Sequence, residues 1–444
     1  MSSRLGSSAA GQYMKRVPCR VLRFESAAKH HHYPHAHIVR STATGRTEAA
    51  RRAFSHCAAR RQPMAGGDND EQGGGGGGGG WVGVKGAGSL DLRSDVMTVP
   101  TPAMLAAVAN CTLRDDVFNE DATTRDLEAH VAQLAGKEAA LFVTSGTMGN
   151  QVALRSLLTQ PPFGVLADHR SHIILYEGGG VSSLTGATVQ PVVPKNGVHL
   201  TVEDVAAHAV VSDDVHATPT RVISLENTLN GMVMPLDEVA RIAAFARARG
   251  IRMHCDGARL WEAVVAGGAG AGAASGLPAF CAHFDTVSLC FSKGLGAPVG
   301  SVVVGDAATV THARRVRKAL GGGMRQPGLL AAAARVAVDQ TFGADPDGGG
   351  AALLRASHET ARRVEAAWRA RGGGLVHPVQ TNMCWLDLEA RGVSGEAFAA
   401  LCADEGLVAS GGRLVTHYQI AQNEAVVLPR LERVFDRVLG ATSR

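Results

Sequence analysis

The stretch Leu289-Cys290-Phe291-Ser292-Lys293-Gly294-Leu295-Gly296-Ala297-Pro298 places one lysine directly after a short apolar run that is typical of a buried strand. In open parallel sheets, ligands bind at the carboxyl ends of the strands, so we expect Lys293 to lie at the functional edge of such a sheet. A lysine at this position has little room to reach bulk water. Burial and neighbouring cations favour the uncharged amine, which is the form that reacts with a carbonyl group to give an imine.

Further apolar and amphipathic runs surround this lysine. The apolar runs predict strands at residues 139–144, 165–168, 189–193, 221–225, 252–256, 286–289 and 301–304. The amphipathic patterns predict helices at residues 124–135, 148–158, 236–249, 307–320 and 328–340. Because strands and helices alternate, the sequence predicts right-handed βαβ units and a mostly parallel sheet, which is an α/β fold.

The composition divides the 444 residues into segments with different expected structures. The composition predicts a disordered basic extension at residues 1–66. Residues 67–89 include eight consecutive glycines, which predict a flexible linker. Residues 90–343 are expected to form an N-terminal arm and a large domain. Residues 351–444 predict a small C-terminal α+β domain, with a helix at 351–370, a strand at 383–388, a helix at 396–404, strands near Val408 and Leu414, and a final helix.

The basic extension carries 12 of the 44 basic residues of the chain but only two of its 40 acidic residues. It is rich in Ser, Ala, Arg and His and has no apolar segment of the secretory type, which is the composition of a mitochondrial or plastid transit peptide. A disordered tail and a misplaced start codon are the alternatives. We therefore expect an intracellular protein, which is organellar if the extension is a transit peptide and cytoplasmic otherwise.

The composition also excludes several classes of function. The rest of the chain is mildly acidic and aromatic residues make up 5% of the whole, so we exclude nucleic-acid binding, which needs basic patches or stacking aromatics. Residues 263–284, the longest stretch without Asp, Glu, Lys or Arg, are mostly Gly and Ala and too weakly apolar to span a membrane. Eight scattered cysteines without a CxxC pair predict reduced thiols and no zinc site, and the histidine-rich segment 30–37 lacks a fold that could preorganise a metal site.

Three more predicted strand ends carry polar residues. Thr144-Ser145-Gly146-Thr147-Met148-Gly149-Asn150 lies between a strand and a helix, where free N–H groups and the helix dipole favour a phosphate, although an ordinary N-cap fits equally well. Asp256 closes a strand three residues before Arg259, which suits either a surface pair or an acid that keeps a heterocyclic nitrogen protonated. His172 follows another strand, a position where histidines more often have a packing role.

These features are more specific in combination than alone. A phosphate seat, a strand-end aspartate and a strand-end lysine 37 residues later are the parts that pyridoxal phosphate needs in a fold-type I enzyme. The competing cofactor is nicotinamide. Its best candidate motif, the glycines at residues 267–276, follows a helix rather than a strand, so we reject it.

Nine blocks of sequence in a fixed order carry a resemblance to a known family. They lie at residues 91–95, 114–118, 144–150, 171–173, 225–228, 254–260, 291–300, 321–326 and 413–417. In these blocks the chain resembles the low-specificity L-threonine aldolases, or L-allo-threonine aldolases, of the β-eliminating lyase group of pyridoxal-phosphate enzymes. The resemblance implies the aspartate aminotransferase fold and the cleavage of L-allo-threonine and L-threonine to glycine and acetaldehyde.

The resemblance also implies roles for individual residues at the cofactor. Lys293 would form the Schiff base, Asp256 would pair with the ring nitrogen and Arg259 would pair with the phenolic oxygen. His172 would stack on the ring and act on the substrate. The phosphate would be held by Ser145, Gly146 and Thr147.

Two further pairs of residues follow from the same resemblance. Ser94 and Arg413 would hold the substrate carboxylate, for which the planar arginine fork is well suited. Lys318 and Arg325 match positions that reach the cofactor of a neighbouring subunit. They imply a homodimer or a homotetramer with shared active sites.

The chain departs from many bacterial members directly after Glu226-Asn227-Thr228, where they have a histidine and this chain has Leu229. Because leucine cannot form a hydrogen bond with a substrate hydroxyl, the preferred stereoisomer and the identity of the base stay open. Two alternative functions also stay open. One is an aldolase or β-eliminating lyase that acts on another β-hydroxy or β-substituted L-amino acid, and the other is a catalytically silent cofactor-binding homologue.

Overall fold

The computed structural model describes residues 87–267, 276–343 and 351–440. The predicted extension at 1–66, nearly all of the predicted linker at 67–89 and most of the glycine-rich segment at 267–276 lie outside the described residues. The chain divides by its internal contacts into residues 1–75 and residues 76–444, and every described residue belongs to the second unit.

A seven-stranded sheet forms the centre of this unit. Its strands are β1 Ala139–Val143, β2 Gly164–Asp168, β3 Thr188–Val192, β4 Thr220–Glu226, β5 Arg252–Gly257, β6 Thr286–Cys290 and β7 Ser301–Gly305. The spatial order is β1-β7-β6-β5-β4-β2-β3, and only β7 runs antiparallel to its neighbours. All residues of β2, β6 and β7 are buried, as expected for a sheet that is covered on both faces. The predicted strands are confirmed, with ends that differ by at most one residue.

Helices cover both faces of this sheet. They are α1 Pro102–Ala109, α2 Ala122–Leu134, α3 Gly146–Leu157, α4 His172–Leu175, α5 Gly180–Thr185, α6 Val202–His208, α7 Leu236–Arg247, α8 Leu260–Ala266, α9 Leu277–Cys281, α10 Ala307–Ala319 and α11 Gly328–Thr341. Side-chain caps fix several of their starts; the Asp121 carboxylate, for example, accepts a hydrogen bond from the Thr124 N–H at 2.8 Å. The largest apolar core lies between this sheet and its helices and includes Phe142, Trp261 and Phe291.

Residues 98–343 are here called the large part. A smaller layer follows at residues 351–440 and is called the small part. Its elements are α12 Ala352–Ala370, β8 Leu375–His377, β9 Met383–Leu386, α13 Gly395–Asp404, β10 Arg413–Val415, α14 Tyr418–Gln422 and α15 Glu424–Gly440. The three strands form an antiparallel sheet in the order β10-β9-β8. A second apolar core around Trp368, Phe398 and Phe435 packs against this sheet.

The segment before the large part is hydrogen-bonded to the small part. The Leu92 N–H donates to the Val408 oxygen at 2.8 Å, and the Val415 N–H donates to the Leu92 oxygen at 2.8 Å. The predicted strand near Val408 is therefore wrong, because Val408 forms a single isolated bridge with Asp91 of this short segment. The predicted strand near Leu414 is confirmed as β10.

The block at residues 114–118 has a structural role. Asp116 is buried and accepts hydrogen bonds from Arg317 and, at 3.2 Å, from Arg314. Arg317 also donates to the Phe142 backbone oxygen at 2.6 Å. These charges hold α10 against the edge of the central sheet, since a buried arginine is tolerated only when it is paired.

Two other observations concern the described ranges as a whole. No helix within them is both long and apolar enough to cross a membrane. Their six cysteines, Cys111, Cys255, Cys281, Cys290, Cys384 and Cys402, are free thiols.

Candidate active site

The carboxyl ends of β4, β5 and β6 bring the predicted polar residues to one edge of the sheet. Glu226 lies directly opposite Asp256 in the pairing of β4 with β5. Asp256 lies opposite Ser288 in the pairing of β5 with β6. This is the edge at which the sequence predicts ligand binding, because parallel strands end there together.

The turn after β6 holds Lys293 at the same edge. The Lys293 backbone oxygen accepts hydrogen bonds from the Thr98 hydroxyl at 3.2 Å and from the Gly296 N–H at 2.9 Å. Gly296 has a φ of +89°, and a Cβ at this position would lie 2.6 Å from the Tyr418 hydroxyl. Only glycine satisfies both conditions, so the turn requires it.

The Lys293 side chain is partly buried, and its amine has no hydrogen-bond or ion-pair partner among the described residues. It lies within electrostatic range of the carboxyl groups of Asp95 and Glu226 and of the His172 ring. An amine without a partner in such surroundings is available to react with a ligand.

Asn150 connects two buried carboxylates at this edge. Its Nδ2 donates to Asp256 Oδ2 at 2.7 Å and to Glu177 Oε1 at 2.8 Å, which uses both amide hydrogens. Its Oδ1 lies 3.1 Å from Nε2 of His254, and the other ring nitrogen of His254 lies 2.9 Å from the Thr286 hydroxyl. Burial lowers the pKa of His254 to about 4, so this ring is neutral and donates to Asn150 through Nε2.

The same Glu177 oxygen holds His172. Nδ1 of His172 lies 2.8 Å from Glu177 Oε1, and the carboxylate is fully buried while 37% of the His172 side chain is exposed. The hydrogen bond to Glu177 raises the pKa of His172, burial acts in the opposite direction, and the charge of Asp256 adds to the increase. Because the proton on Nδ1 is held by Glu177, Nε2 is the nitrogen left for a ligand.

Glu226 is a carboxyl group of a different kind. Its Oε2 accepts a hydrogen bond from the His172 backbone N–H at 2.7 Å. Burial, and secondly the negative charge of Asp256, raises the pKa of Glu226 to about 8. Glu226 is therefore mostly protonated at neutral pH, which avoids two adjacent buried negative charges.

The start of α3 lies where the sequence predicts a phosphate site. The Ser145 hydroxyl caps the helix by accepting from its third N–H at 3.1 Å. The N–H groups of Gly146 and Thr147 come before the first intrahelical hydrogen bond, so together with the helix dipole they can bind an anion. The helix approaches β6 closely, since a Cβ on Gly149 would lie 2.4 Å from the Ser288 hydroxyl.

Arg259 makes a bidentate ion pair with Asp95. The distances are 2.7 Å from Nε to Oδ2 and 2.6 Å from Nη2 to Oδ1. Burial acts to raise the pKa of Asp95, but the charge and the hydrogen bonds of Arg259 outweigh it and hold this pKa well below its usual range. The Ser94 hydroxyl lies 3.4 Å from the same carboxylate. Arg259 thus donates to Asp95 through Nε and Nη2, and its Nη1 is the nitrogen that would contact a ligand.

Arg413 extends from β10 of the small part towards the segment that carries Ser94. Its Nη1 donates to the Arg93 backbone oxygen at 2.9 Å, and its guanidinium carbon lies 5.7 Å from the centre of the Trp385 ring. Burial, and secondly the charge of Arg259, lowers the pKa of Arg413, although an arginine stays charged in proteins. Within the described ranges Arg413 has no carboxylate partner, so it can bind an anionic ligand.

The structure does not join Lys318 and Arg325 with these residues. Lys318 is exposed in the last turn of α10 and packs against Gly323. Arg325 is 68% exposed and pairs with Asp115 at 2.6 Å. Both side chains lie on the surface of the single chain that the structure describes.

The sequence assigned no role to four residues that organise this site: Asp95, Asn150, Glu177 and Glu226. Three of them lie inside the blocks that carry the family resemblance, but no spacing pattern relates residues so far apart in the chain. Glu177 is followed by Gly178-Gly179-Gly180, and a Cβ on Gly180 would lie 2.8 Å from the Gln151 side chain. Of this run only Gly180 is closely packed, whereas Gly178 and Gly179 have open space but positive φ, a turn signal that could have marked the residue.

The residues at the strand ends fit pyridoxal phosphate. A lysine amine without a partner, a buried carboxylate, a half-exposed imidazole and a helix N-terminus are the groups that this cofactor requires. Ligand atoms of His172, Glu177 and Asp256 also lie within 4.8 Å of one another, a spacing compatible with a metal ion. Asn150 and His172 already occupy these carboxylates by hydrogen bonds, which favours the interpretation as a cofactor network.

The fold and the site define a fold-type I pyridoxal-phosphate enzyme. The threonine aldolase of Leishmania major has the same fold, with a TM-score of 0.64 at 20% identity, over 79% of this chain and 99% of that one. The chain belongs to the β-eliminating lyase family, whose model matches residues 91–391. It is a lyase and its cofactor is pyridoxal phosphate, so the predicted fold class, enzyme class and cofactor are confirmed.

Three curated relatives cover most of the chain. It is 51% identical to aldolase vrtJ of Penicillium aethiopicum, over 77% of this chain and 84% of the relative. It is 45% identical to alanine racemase TOXG of Cochliobolus carbonum, over 81% of this chain and 90% of the relative. It is 42% identical to the low-specificity L-threonine aldolase of Candida albicans, over 75% of this chain and 86% of the relative.

Proposed function

We propose that the chain catalyses the reversible cleavage of L-allo-threonine and L-threonine to glycine and acetaldehyde. The observation that carries this proposal is that the Lys293 amine has no hydrogen-bond or ion-pair partner among the described residues and lies within electrostatic range of Asp95, Glu226 and His172. The 42% identity to a relative named low-specificity L-threonine aldolase supports the choice of substrates.

Pyridoxal phosphate, when bound, supplies a reactive carbonyl and a ring that accepts the electrons of a breaking Cα–Cβ bond. Lys293 would hold the cofactor covalently, and Asp256, anchored by Asn150, would hold the proton of the ring nitrogen. Arg259 would reach the phenolic oxygen. The phosphate would be bound at the start of α3 by Ser145, Gly146 and Thr147.

The substrate carboxylate would be bound by Ser94 and Arg413. The arginine fork can donate two parallel hydrogen bonds to one carboxylate, which fixes the orientation as well as the position of the amino acid. This orientation decides which bond at Cα is broken. Because Arg413 lies on the small part and Ser94 on the N-terminal segment, the substrate would be held between them.

His172 would act as the base for the β-hydroxyl group. Glu177 keeps the proton on Nδ1, so Nε2 would accept the hydroxyl proton directly or through a water molecule and return it in the reverse reaction. The mostly protonated Glu226 would leave His172 as the basic group on this side of the site.

A second candidate function is the cleavage of a bulkier β-hydroxy amino acid. Leu229 is 6% exposed and lines a small cavity with Glu226, Met232 and Met234, and it would give the β-substituent an apolar wall in place of a hydrogen-bonding group. An apolar wall suits an aromatic or a long aliphatic β-substituent. A catalytically silent homologue is disfavoured, because Lys293 has no partner among the described residues that would explain its partial burial.

The assembly and the location of the protein are further parts of the proposal. We propose a homodimer or homotetramer in which the exposed Lys318 and Arg325 reach the cofactor of a neighbouring subunit. We also propose that residues 1–66 are a mitochondrial or plastid transit peptide, on the basis of their basic composition. Residues 90–343 and 351–444 would be the large and the small domain.

The test is a comparison of products with the full chain purified in pyridoxal phosphate. Acetaldehyde release from L-allo-threonine and L-threonine is followed beside benzaldehyde release from phenylserine, and D-alanine formation from L-alanine serves as a racemase assay. Acetaldehyde release that disappears in the Lys293→Ala variant supports the proposal. Benzaldehyde without acetaldehyde would favour the second candidate, and near-wild-type rates in Lys293→Ala would contradict the role of Lys293.

A further inference from the structure

Trp385 lies between the predicted carboxylate-binding residue and a turn of the large part. It stands directly opposite Arg413 in the pairing of β9 with β10. The Arg413 guanidinium carbon lies 5.7 Å from the centre of its ring, within the range of a cation–π contact. His377 of β8 packs edge-on against the same ring, with 5.6 Å between the ring centres, so the indole is fixed from a second strand.

The other end of the indole is bound to the large part. Nε1–H of Trp385 donates to the Asn230 backbone oxygen at 3.0 Å. Asn230 and Gly231 both have positive φ, and the N–H and oxygen of Leu229 and Met232 are bonded to each other at 3.2 and 3.0 Å. These are the features of a two-residue type I′ turn, for which Asn-Gly is the preferred sequence.

This turn, residues 229–232, is seated on the start of β9. The Thr381 hydroxyl donates to the Gly231 oxygen at 2.7 Å, and the Val233 N–H donates to Gln380 at 2.7 Å. A Cβ on Gly231 would lie 2.7 Å from Met383 Cβ, so the backbone of the turn touches the strand. Rigid seating of the turn fixes Leu229, which is buried beside Glu226.

We propose that Trp385 is a positioning residue that sets Arg413 and Leu229 relative to each other. Its ring supports the group that would bind the substrate carboxylate, and its N–H holds the turn that carries Leu229, which would face the β-substituent. The inference rests on the proposed function of Arg413 and extends it, because affinity for the amino acid and preference between β-substituents would then depend on one side chain.

The experiment uses Trp385→Phe and Trp385→Leu in the full-length holoenzyme. The Phe variant keeps an aromatic face under Arg413 and loses the hydrogen bond to the turn, whereas the Leu variant loses both. We expect Trp385→Leu to raise KM for L-allo-threonine and Kd for glycine about tenfold while kcat falls less than about threefold, the pattern of lost binding common to ground and transition state. We expect Trp385→Phe to keep Kd for glycine within about threefold and to shift the ratio of kcat/KM for L-allo-threonine over L-threonine.

Trp368→Phe is the matched control. Trp368 is buried in the same part, and its Nε1–H donates to a backbone oxygen, that of Gly374, at 2.6 Å. This variant should leave both Kd for glycine and the isomer ratio unchanged. If it changes them as much as the Trp385 variants do, the effect is a general loss of packing and the inference is wrong.

Arg413→Ala separates this inference from the proposed function. If Arg413→Ala raises Kd for glycine but both Trp385 variants leave Kd and the isomer ratio unchanged, the positioning role is overturned and the carboxylate role stands. If Arg413→Ala leaves Kd unchanged, the carboxylate role fails and the inference fails with it. If Trp385→Leu does not fold, the isomer ratio of Trp385→Phe decides.

Discussion

His172 and Glu177 are joined by a 2.8 Å hydrogen bond in which a fully buried carboxylate holds Nδ1 of a partly exposed ring. The two residues are only five positions apart, since His172 begins helix α4 and Glu177 follows its end. The same carboxylate oxygen also accepts from Asn150, which donates to Asp256. The groups expected at the cofactor ring and at the substrate hydroxyl are therefore parts of one network.

Glu177→Gln should lower the pKa of His172. The hydrogen bond to Glu177 is the largest cause of the raised pKa, so removal of the negative charge shifts the protonation of His172 to lower pH. The acid limb of the kcat/KM profile should move in the same direction, and kcat should fall less than in His172→Ala, where about 10²–10⁴-fold is expected for loss of an acid–base group.

The measurement is histidine NMR of both proteins over pH 5 to 9. His283, whose pKa is lowered by burial and then by the charge of Arg247, provides an internal control, and its titration should be the same in both proteins. An unchanged titration of His172 in Glu177→Gln would show that Glu177 does not control this ring.

Asp95→Asn should destabilise the fold strongly at neutral pH. It leaves the buried charge of Arg259 without its partner, a change that costs about 3–5 kcal/mol in buried pairs. The pKa of Asp95 is depressed in the folded state. The stabilisation of the fold by its ionised carboxylate is therefore complete above the unfolded pKa of about 3.9, and it is lost as the pH falls through the folded pKa. Urea unfolding at several pH values should show that the free energy of unfolding differs between wild type and Asp95→Asn by a constant amount from pH 8 to pH 5. This difference should shrink below about pH 4.

Asp115→Asn is the control for this prediction. It breaks the ion pair with Arg325, which is 68% exposed, and should change the free energy of unfolding far less than Asp95→Asn. Equal effects of the two substitutions would mean that the Asp95–Arg259 pair has no special stabilising role.

Glu226→Gln should stabilise the protein at alkaline pH. The folded pKa of about 8 lies above the unfolded value of about 4.3, so wild-type stability falls as the pH rises between these values, whereas glutamine does not ionise. The Tm of the variant should be closest to that of the wild type near pH 4 and exceed it increasingly up to about pH 9. A Tm difference that does not depend on pH would contradict the raised pKa.

Leu229→His should change the discrimination between the two threonine isomers. A histidine at this position adds a hydrogen-bonding group next to Glu226, so the ratio of kcat/KM for L-allo-threonine over L-threonine should shift at least about threefold. Leu229→Met conserves the volume and the apolar character and should keep the wild-type ratio. If the His variant also keeps the ratio, position 229 does not contact the β-hydroxyl.

The sequence by itself determined the central sheet. The runs that became β1, β2, β6 and β7 are mostly apolar and bounded by turn residues, as expected for strands in which nearly every residue is buried. The strand of the small sheet that was not predicted, β8 at Leu375–His377, has three residues and none of them is buried. Without a buried side the run has no distinct apolar pattern, and pairing with β9 decides it.

The sequence also placed Lys293, Asp256 and the start of α3 at strand ends, because each of them lies within three residues of the end of its strand. It could not supply the partners. Arg259 is paired with Asp95, 164 positions away, and Asn150 donates to Asp256, 106 positions away. Trp385 binds Asn230 across 155 positions. Local patterns record what a residue is next to along the chain, whereas these contacts depend on strand order and on the docking of the small part, which only the tertiary structure decides.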